Sequence, residues 1–161
     1  MLKKHNKTFW VKIILIAAIV LCVLFIWSRS LKEAPESDAE SSGVVSFLRP
    51  VLERLKIPEE NWSHLVRKTA HFTEFFIIGL LLSALFRGRY ILLLLLIGFI
   101  VAAVDETIQL FIPGRSGEFA DVLLDTAGAT AAILIVYAAV GLYRVRKKKK
   151  AGKTIGKESQ K

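Results

Sequence analysis

The sequence has almost no cysteine, and charged residues are missing from four long stretches. Cys22 is the only cysteine in 161 residues, and its position within an apolar run excludes a disulfide-stabilised scaffold. Hydrophobic residues make up 53% of the chain, yet Lys and Arg number 23 and Asp and Glu number 14. The charge-free runs are Ile13–Ser28, Phe75–Phe86, Ile91–Val104 and Thr126–Tyr143. Apolar and charged residues are thus segregated along the chain, which excludes a disordered chain and argues against a soluble globule.

The four apolar runs predict an all-α integral membrane protein with four transmembrane helices. A helix needs about 20 mainly apolar residues to cross a bilayer core. The predicted spans are 9–27, about 69–86, about 90–112 and about 122–143. The first resembles a signal peptide, but Arg29 lies between Ser28 and Ser30 and spoils the small-residue cleavage site. We therefore interpret the first span as an uncleaved anchor.

The distribution of Lys and Arg predicts that both termini are cytoplasmic. Of the 23 basic residues, 15 fall in the N-terminal segment up to Lys12, the loop between spans two and three, and the C-terminal tail. Cytoplasmic loops are enriched in such residues. Residues 1–8 are then a cytoplasmic N-terminus, and residues 144–161 a basic cytoplasmic tail that touches anionic lipid. Since this charge marks topology, we predict no nucleic-acid partner.

Residues 28–66 form the predicted extracytoplasmic segment, with two parts. Lys32–Gly43 is polar and acidic and is interpreted as a linker. From Val44 onward, apolar residues recur at helical spacing, which predicts an interfacial helix kinked or shortened by Pro50. Pro58 then suits the start of a helix.

Polar residues of three predicted helices share one depth in the membrane. A charged residue inside a span costs about 2.5–3.5 kcal/mol on insertion scales, so it is by default a functional candidate. Helical spacing places Arg67, His71 and Glu74 on one face, and Asp105 with Gln109 on another. All fall in the outer half of their spans, whereas the inner halves are apolar. The candidate ligand-binding residues are Arg67, His71, Glu74, Asp105, Glu106, Gln109, Arg115, Asp121 and Asp125.

These residues predict a polar cavity open to the outside. The alternative is a set of ion pairs that only locks the helices together. Five acids here face two arginines and one histidine, so the acids outnumber the cations available to pair with them. Crowded carboxylates raise one another's pKa, which favours protonated acids or a bound cation.

Three motifs in this order resemble those of the VanZ-like family of bacterial membrane proteins. Residues 67–75 (RKTAHFTEF) resemble its RK-x-AHF-x-E-[YF] signature. Residues 105–115 (DETIQLFIPGR) resemble DE-x-x-Q-x-F-x-PGR, and residues 121–128 (DVLLDTAG) resemble DV-x-x-[DN]-x-x-G. The resemblance covers about residues 41–140, which we take as the VanZ-like domain.

The resemblance implies a protein of the bacterial cell membrane, in a family named after a protein associated with resistance to teicoplanin-type glycopeptides. It implies no settled reaction. We expect binding of a membrane lipid or lipid-linked envelope precursor, which lowers glycopeptide sensitivity. One alternative is a membrane-embedded enzyme that acts by acid–base chemistry through His71, Glu74 or Asp105. The other is a proton- or ion-coupled transporter.

The sequence predicts no cofactor and no metal site. Family members often carry a histidine directly before Gln109, where this chain has Ile108. His71 with Glu74 falls short of the three protein ligands of a catalytic zinc site. The oligomeric state is left open.

Overall fold

The computed structural model describes the backbone of residues 2–115 and 117–158, and their side chains except at 2–7, 38 and 150–158. This part of the chain is helical without strands, as predicted. The helices are α1 (Leu2–Ser30), α2 (Ala34–Arg54), α3 (Trp62–Leu85), α4 (Ile91–Gln109) and α5 (Phe119–Glu158). A short 3-10 helix, Glu59–Asn61, directly precedes α3.

Four helical segments are long and apolar enough to cross a membrane, which confirms the predicted number of spans. They are Thr8–Ser30, Glu59–Leu85, Ile91–Gln109 and Phe119–Lys149. The second begins ten residues earlier than predicted, because helical backbone starts directly after Pro58. The predicted tail 144–161 continues α5 as far as Glu158, and residues 159–161 lie outside the described residues.

The core lies where α3 packs along α5, with α4 against the same helix. Phe75, Ile78 and Leu82 supply the α3 face, and Ala129 and Ile133 the α5 face. Gly79 of α3 and Gly128 of α5 allow the backbones of these two helices to approach closely. A Cβ placed on Gly128 would lie 2.4 Å from the carbonyl oxygen of Phe72. Small residues at helix crossings are the usual means of close packing in membranes.

Helix α1 lies at the edge of this core and leaves most of its apolar surface uncovered. Ile26 is fully buried against the other helices, whereas Ile14 and Leu21 are more than 60% exposed. Side chains this apolar on the outside of a long helix suit a hydrocarbon environment. The packed end of α1 carries Arg29 and Ser30 into the polar region described below.

Helix α2 corrects the sequence interpretation of residues 32–43. The predicted linker Lys32–Gly43 is helical from Ala34 onward, with proline in the first turn, where its missing N–H is not needed. Lys32 pairs with both Glu36 and Glu40, which binds the chain before α2 to its first two turns. Pro50 lies inside the helix rather than ending it. The predicted linker is thus reduced to the chain around residues 31–33.

Tight turns bring the polar ends of three helices together. After α4 the chain turns at Pro113 and Gly114, and Gly114 has a φ of +74°, which glycine adopts without strain. A Cβ there would approach Ala34 to 3.1 Å, so this turn packs against the start of α2. We call this the polar end of the bundle. It comprises the end of α1, the starts of α2, α3 and α5, and the end of α4.

Candidate functional site

A histidine and two carboxylates from three helices meet at the centre of the polar end. The Nδ1 atom of His71 lies 3.8 Å from Oδ2 of Asp105 and 3.6 Å from Oδ2 of Asp125. Both aspartates have no exposed surface, and the histidine side chain is 25% exposed. The sequence placed these residues at one depth, and the structure brings them into one cluster, here called the His–Asp cluster.

The carboxylate of Asp105 is held in place from two sides. Ser30 Oγ donates a hydrogen bond of 2.6 Å to its Oδ1 atom. Gln109 Nε2 donates one of 3.2 Å to its Oδ2 atom, and a second of 3.2 Å to Glu106. The position of Asp105 is therefore fixed by helices α1 and α4 together.

Glu106 links the end of α4 to the start of α5. Its Oε2 atom accepts a hydrogen bond of 3.1 Å from the backbone N–H of Glu118. Its other oxygen accepts from Gln109, so both carboxylate oxygens are satisfied. Although it is turned away from Asp105 on the helix, Glu106 is 4% exposed. Its contacts suit a role in shaping the turn.

Asp125 differs from these two acids because neither of its oxygens has a hydrogen-bond partner among the described residues. The same holds for Nδ1 of His71. Buried polar groups are almost always hydrogen-bonded, so each exception calls for an explanation. The closest opposite charge is His71 itself, at a distance too long for a hydrogen bond.

The outer acids of the set are paired with cations that the sequence did not assign. Arg29 lies 3.0 Å from Glu40 and 3.8 Å from Glu74. Lys68, which is not among the candidate residues, forms an ion pair with Asp121. Ion pairs that hold the helices together, the alternative considered above, are therefore present around the rim of the site. The His–Asp cluster lies inside this rim.

Arg115 extends from the α4–α5 turn, and no carboxylate of the described residues lies within ion-pair distance of it. Its Nη2 atom donates a long bond of 3.5 Å to the carbonyl of Arg29, and Nε is buried without a partner. Burial, followed by the neighbouring Arg67 charge, lowers the pKa of the Arg115 guanidinium. A bound anion would offset both the burial of the Arg115 charge and its repulsion from Arg67.

Two cavities meet at this point. A polar pocket of about 290 Å³ lies between the starts of α3 and α5. An amphipathic groove of about 520 Å³ lies between α2 and α3. Arg67, His71 and Arg115 line both. Of the nine candidate residues, the polar pocket is lined by Arg67, His71, Glu106, Gln109, Arg115, Asp121 and Asp125.

Sequence reasoning missed Arg29, Ser30 and Glu40, which line or support these cavities. The predicted first span ended at Trp27, so Arg29 and Ser30 were treated as flanking chain. A signal was present, since Arg29 is a basic residue on the predicted outer side, where few are expected. Glu40 could not be placed, because its segment was interpreted as a linker.

The fold and the site together define a multi-pass helical membrane protein with a charged pocket at one end of its bundle. The family model of VanZ/LLP1 matches residues 13–141, and the chain belongs to this family. The match begins within α1 and extends over the whole of the expected domain 41–140. Comparisons with curated proteins and with solved structures find no match.

Proposed function

We propose that this VanZ-family membrane protein binds an anionic amphiphile of the bacterial envelope in the amphipathic groove. The observation that carries the proposal is the groove itself, which is apolar at one end and bears arginines at the other. Such a gradient matches a molecule with an acyl or polyprenyl chain and a phosphate or carboxylate head. A membrane lipid and a lipid-linked envelope precursor share this chemistry.

The apolar end of the groove is formed by α2 and the first turns of α3. Val44, Leu48 and Leu52 line it from α2, and Leu65 lines it from α3. Helix α2 has an apolar side against α3 and an uncovered side at Phe47, which suits a helix lying at a membrane surface. A chain can enter such a groove directly from the lipid.

The polar end of the groove presents guanidinium groups to a headgroup. Arg29 is partly neutralised by Glu40 and Glu74, while Arg115 is without an ion pair among the described residues. A guanidinium binds phosphate and carboxylate through two parallel hydrogen bonds. Arg115 therefore supports an anionic headgroup more directly than the other cations do.

We further propose that the polar end faces outward, and that binding there lowers sensitivity to teicoplanin-type glycopeptides. These antibiotics act at the outer face of the membrane, and the family takes its name from a protein associated with resistance to them. A protein that holds an envelope amphiphile at this surface alters the access of a lipid-bearing antibiotic. The basic tail then lies on the cytoplasmic side, against anionic lipid.

Filling the groove tests the proposal. Val44→Trp places a bulky ring among the apolar lining residues, so we expect the purified protein to retain at least about fivefold less co-purifying lipid. The matched control is Phe47→Trp on the same helix, since Phe47 is 83% exposed and does not line the groove. The measurement is mass spectrometry of lipid extracted from equal amounts of folded protein.

Equal lipid retention by Val44→Trp and wild type would overturn the proposal, as would equal losses in both tryptophan variants. An undecaprenyl-type species in the wild-type extract supports a lipid-linked precursor. A phospholipid alone supports an ordinary membrane lipid. Glycopeptide tolerance of cells that express each variant tests the envelope role separately.

Orientation is testable by cysteine labelling in a Cys22→Ala background. Ser42 is exposed near the start of α2, so we expect Ser42→Cys to react with an impermeant thiol reagent added to intact cells. Ser159→Cys in the basic tail is expected to react only after permeabilisation. The reverse pattern would show the opposite orientation and remove the outward-facing groove.

A membrane-embedded enzyme is the second candidate. The observation that favours it is the His–Asp cluster beside the groove, since His71 between two carboxylates can accept and donate protons. Turnover of the extracted lipid by the wild type, and its loss in His71→Gln, would support this candidate. The transporter alternative has less support, because the acidic residues of the four described spans gather at one end of the bundle.

A further inference from the structure

We propose that His71, Asp105 and Asp125 bind one divalent transition-metal ion, of the kind of Mn²⁺ or Zn²⁺. Each residue offers one ligand atom, and these three atoms all lie within 4.8 Å of one another. They come from α3, α4 and α5, so the site is made by the packed bundle. This differs from the sequence expectation of no metal site, although the sequence left open a cation bound by the crowded acids.

The spacing of the ligand atoms fits a shared ion better than a direct hydrogen bond. A charge-assisted hydrogen bond between histidine and carboxylate is about 2.7–2.9 Å long. The observed separations from His71 Nδ1 are 3.6 and 3.8 Å. Two ligands about 2.1 Å from a tetrahedral ion lie about 3.4 Å apart. An ion beside His71 Nδ1 therefore requires only small changes in these two distances.

An independent observation is the state of Asp125. This side chain is fully buried, it points at His71, and both of its oxygens are without hydrogen-bond partners in the described part of the chain. Asp105 is also fully buried beside it. A protonated histidine supplies one positive charge for two carboxylates, whereas a divalent ion neutralises both.

The residues around the His–Asp cluster hold it in the way that neighbouring residues hold metal ligands. Ser30 and Gln109 hold the Asp105 carboxylate by hydrogen bonds, which is how outer residues orient metal ligands. The polar pocket borders His71 and Asp125, so it leaves space for a water molecule or a ligand oxygen on the ion. Catalytic metal sites commonly have three protein ligands and one such open position.

The donor atoms indicate the class of ion. One imidazole nitrogen disfavours Mg²⁺ and Ca²⁺, which prefer oxygen ligands throughout. The set contains no thiolate, so it does not favour soft ions such as Cu(I). A mixed nitrogen and carboxylate set suits Zn²⁺ and Mn²⁺. This proposal is independent of lipid binding in the groove.

The test is a calorimetric titration of the metal-stripped protein in detergent with MnCl₂ or ZnCl₂. Elemental analysis after desalting then counts the ions bound per chain. We expect one ion per chain in the wild type. Asp125→Asn and His71→Gln are expected to bind at least about tenfold more weakly. The matched control is Glu53→Gln, which removes an exposed carboxylate of α2 that pairs with Arg49 and lines neither cavity. It should bind as the wild type does.

Thermal unfolding without metal separates a lost site from a misfolded protein. Asp125→Asn removes a buried unpaired carboxylate, so we expect the metal-free variant to be at least as stable as the wild type, but without a metal-induced rise in Tm. No ion bound by the wild type, or wild-type affinity in both cluster variants, would overturn the proposal. Equal affinity for MgCl₂ would overturn the assigned class of ion. Lipid retention is measured with and without metal, so that failure of metal binding can be distinguished from failure of lipid binding in the groove.

Discussion

Gly128→Ala is expected to destabilise the packed bundle strongly. Among the described helical glycines, only Gly79 would bring an added Cβ equally close to a backbone atom. The Cβ added at Gly128 would lie 2.4 Å from the carbonyl oxygen of Phe72 and 3.2 Å from its carbonyl carbon. These are backbone atoms of α3, so a side-chain rotation cannot relieve the clash, and the two helices must separate. Overpacking typically costs about 1–3 kcal/mol, and we expect the upper end of that range.

The separation of α3 from α5 also affects the site. Phe72 follows His71 directly, and Gly128 lies one turn after Asp125, so this contact sets the distance across the His–Asp cluster. We expect lower membrane abundance and a Tm in detergent reduced by at least about 5 °C.

Gly141→Ala is the matched control in the same helix, because its Cβ meets no atom within 4 Å. Alanine is favoured over glycine in a helix by about 1 kcal/mol, so this control is expected to be neutral or slightly stabilising. If Gly128→Ala melts with the control, the close approach of α3 and α5 does not limit stability.

Arg115→Lys is expected to keep the protein folded but to lose most of its headgroup binding. Lysine retains the charge as a point charge and cannot form the paired, planar hydrogen bonds of a guanidinium. A charge-assisted hydrogen bond contributes about 1.5–3 kcal/mol, so losing one weakens binding about tenfold or more. The measurements are lipid retention by the purified variant, its Tm, and the glycopeptide tolerance of cells that express it.

Arg89→Lys is a suitable control, since Arg89 is an exposed arginine in the α3–α4 turn at the opposite end of the bundle. It should match the wild type in all three measurements. Normal tolerance in Arg115→Lys, combined with unfolding of Arg115→Ala, would identify Arg115 as a structural residue. In that case the groove would lose its principal anion ligand.

The first and second helices show how far local sequence information reached. The apolar run after residue 12 was sufficient to predict a span, because a lipid-facing helix must be apolar around most of its surface. Residues 34–43 have no apolar period, and their helix is tied to its surroundings by ion pairs from Lys32 and Arg29. Such pairs join residues 4 to 11 positions apart, and a periodicity of apolar residues does not report them.

The sequence by itself determined the membrane class, the four spans, the family and the position of each polar residue along its helix, because each follows from runs and spacings within one helix. Helical geometry fixes how far Asp105 lies from the end of its helix whatever its neighbours are. It does not fix the rotation of α4 relative to α3 and α5. That rotation depends on which faces pack, and here Gly98 of α4 faces α5 so closely that an added Cβ would lie 3.0 Å from the Cβ of Ala129.

Only the tertiary structure decided which charges meet. It paired Lys68 with Asp121 and Arg29 with Glu40, and it left Asp125 facing His71 without a hydrogen bond. It also opened a groove between α2 and α3, two helices whose contact no motif predicts. The physical reason is that pairing in a membrane bundle depends on distances of a few ångströms between separate helices, and these distances are set by side-chain packing along their whole length.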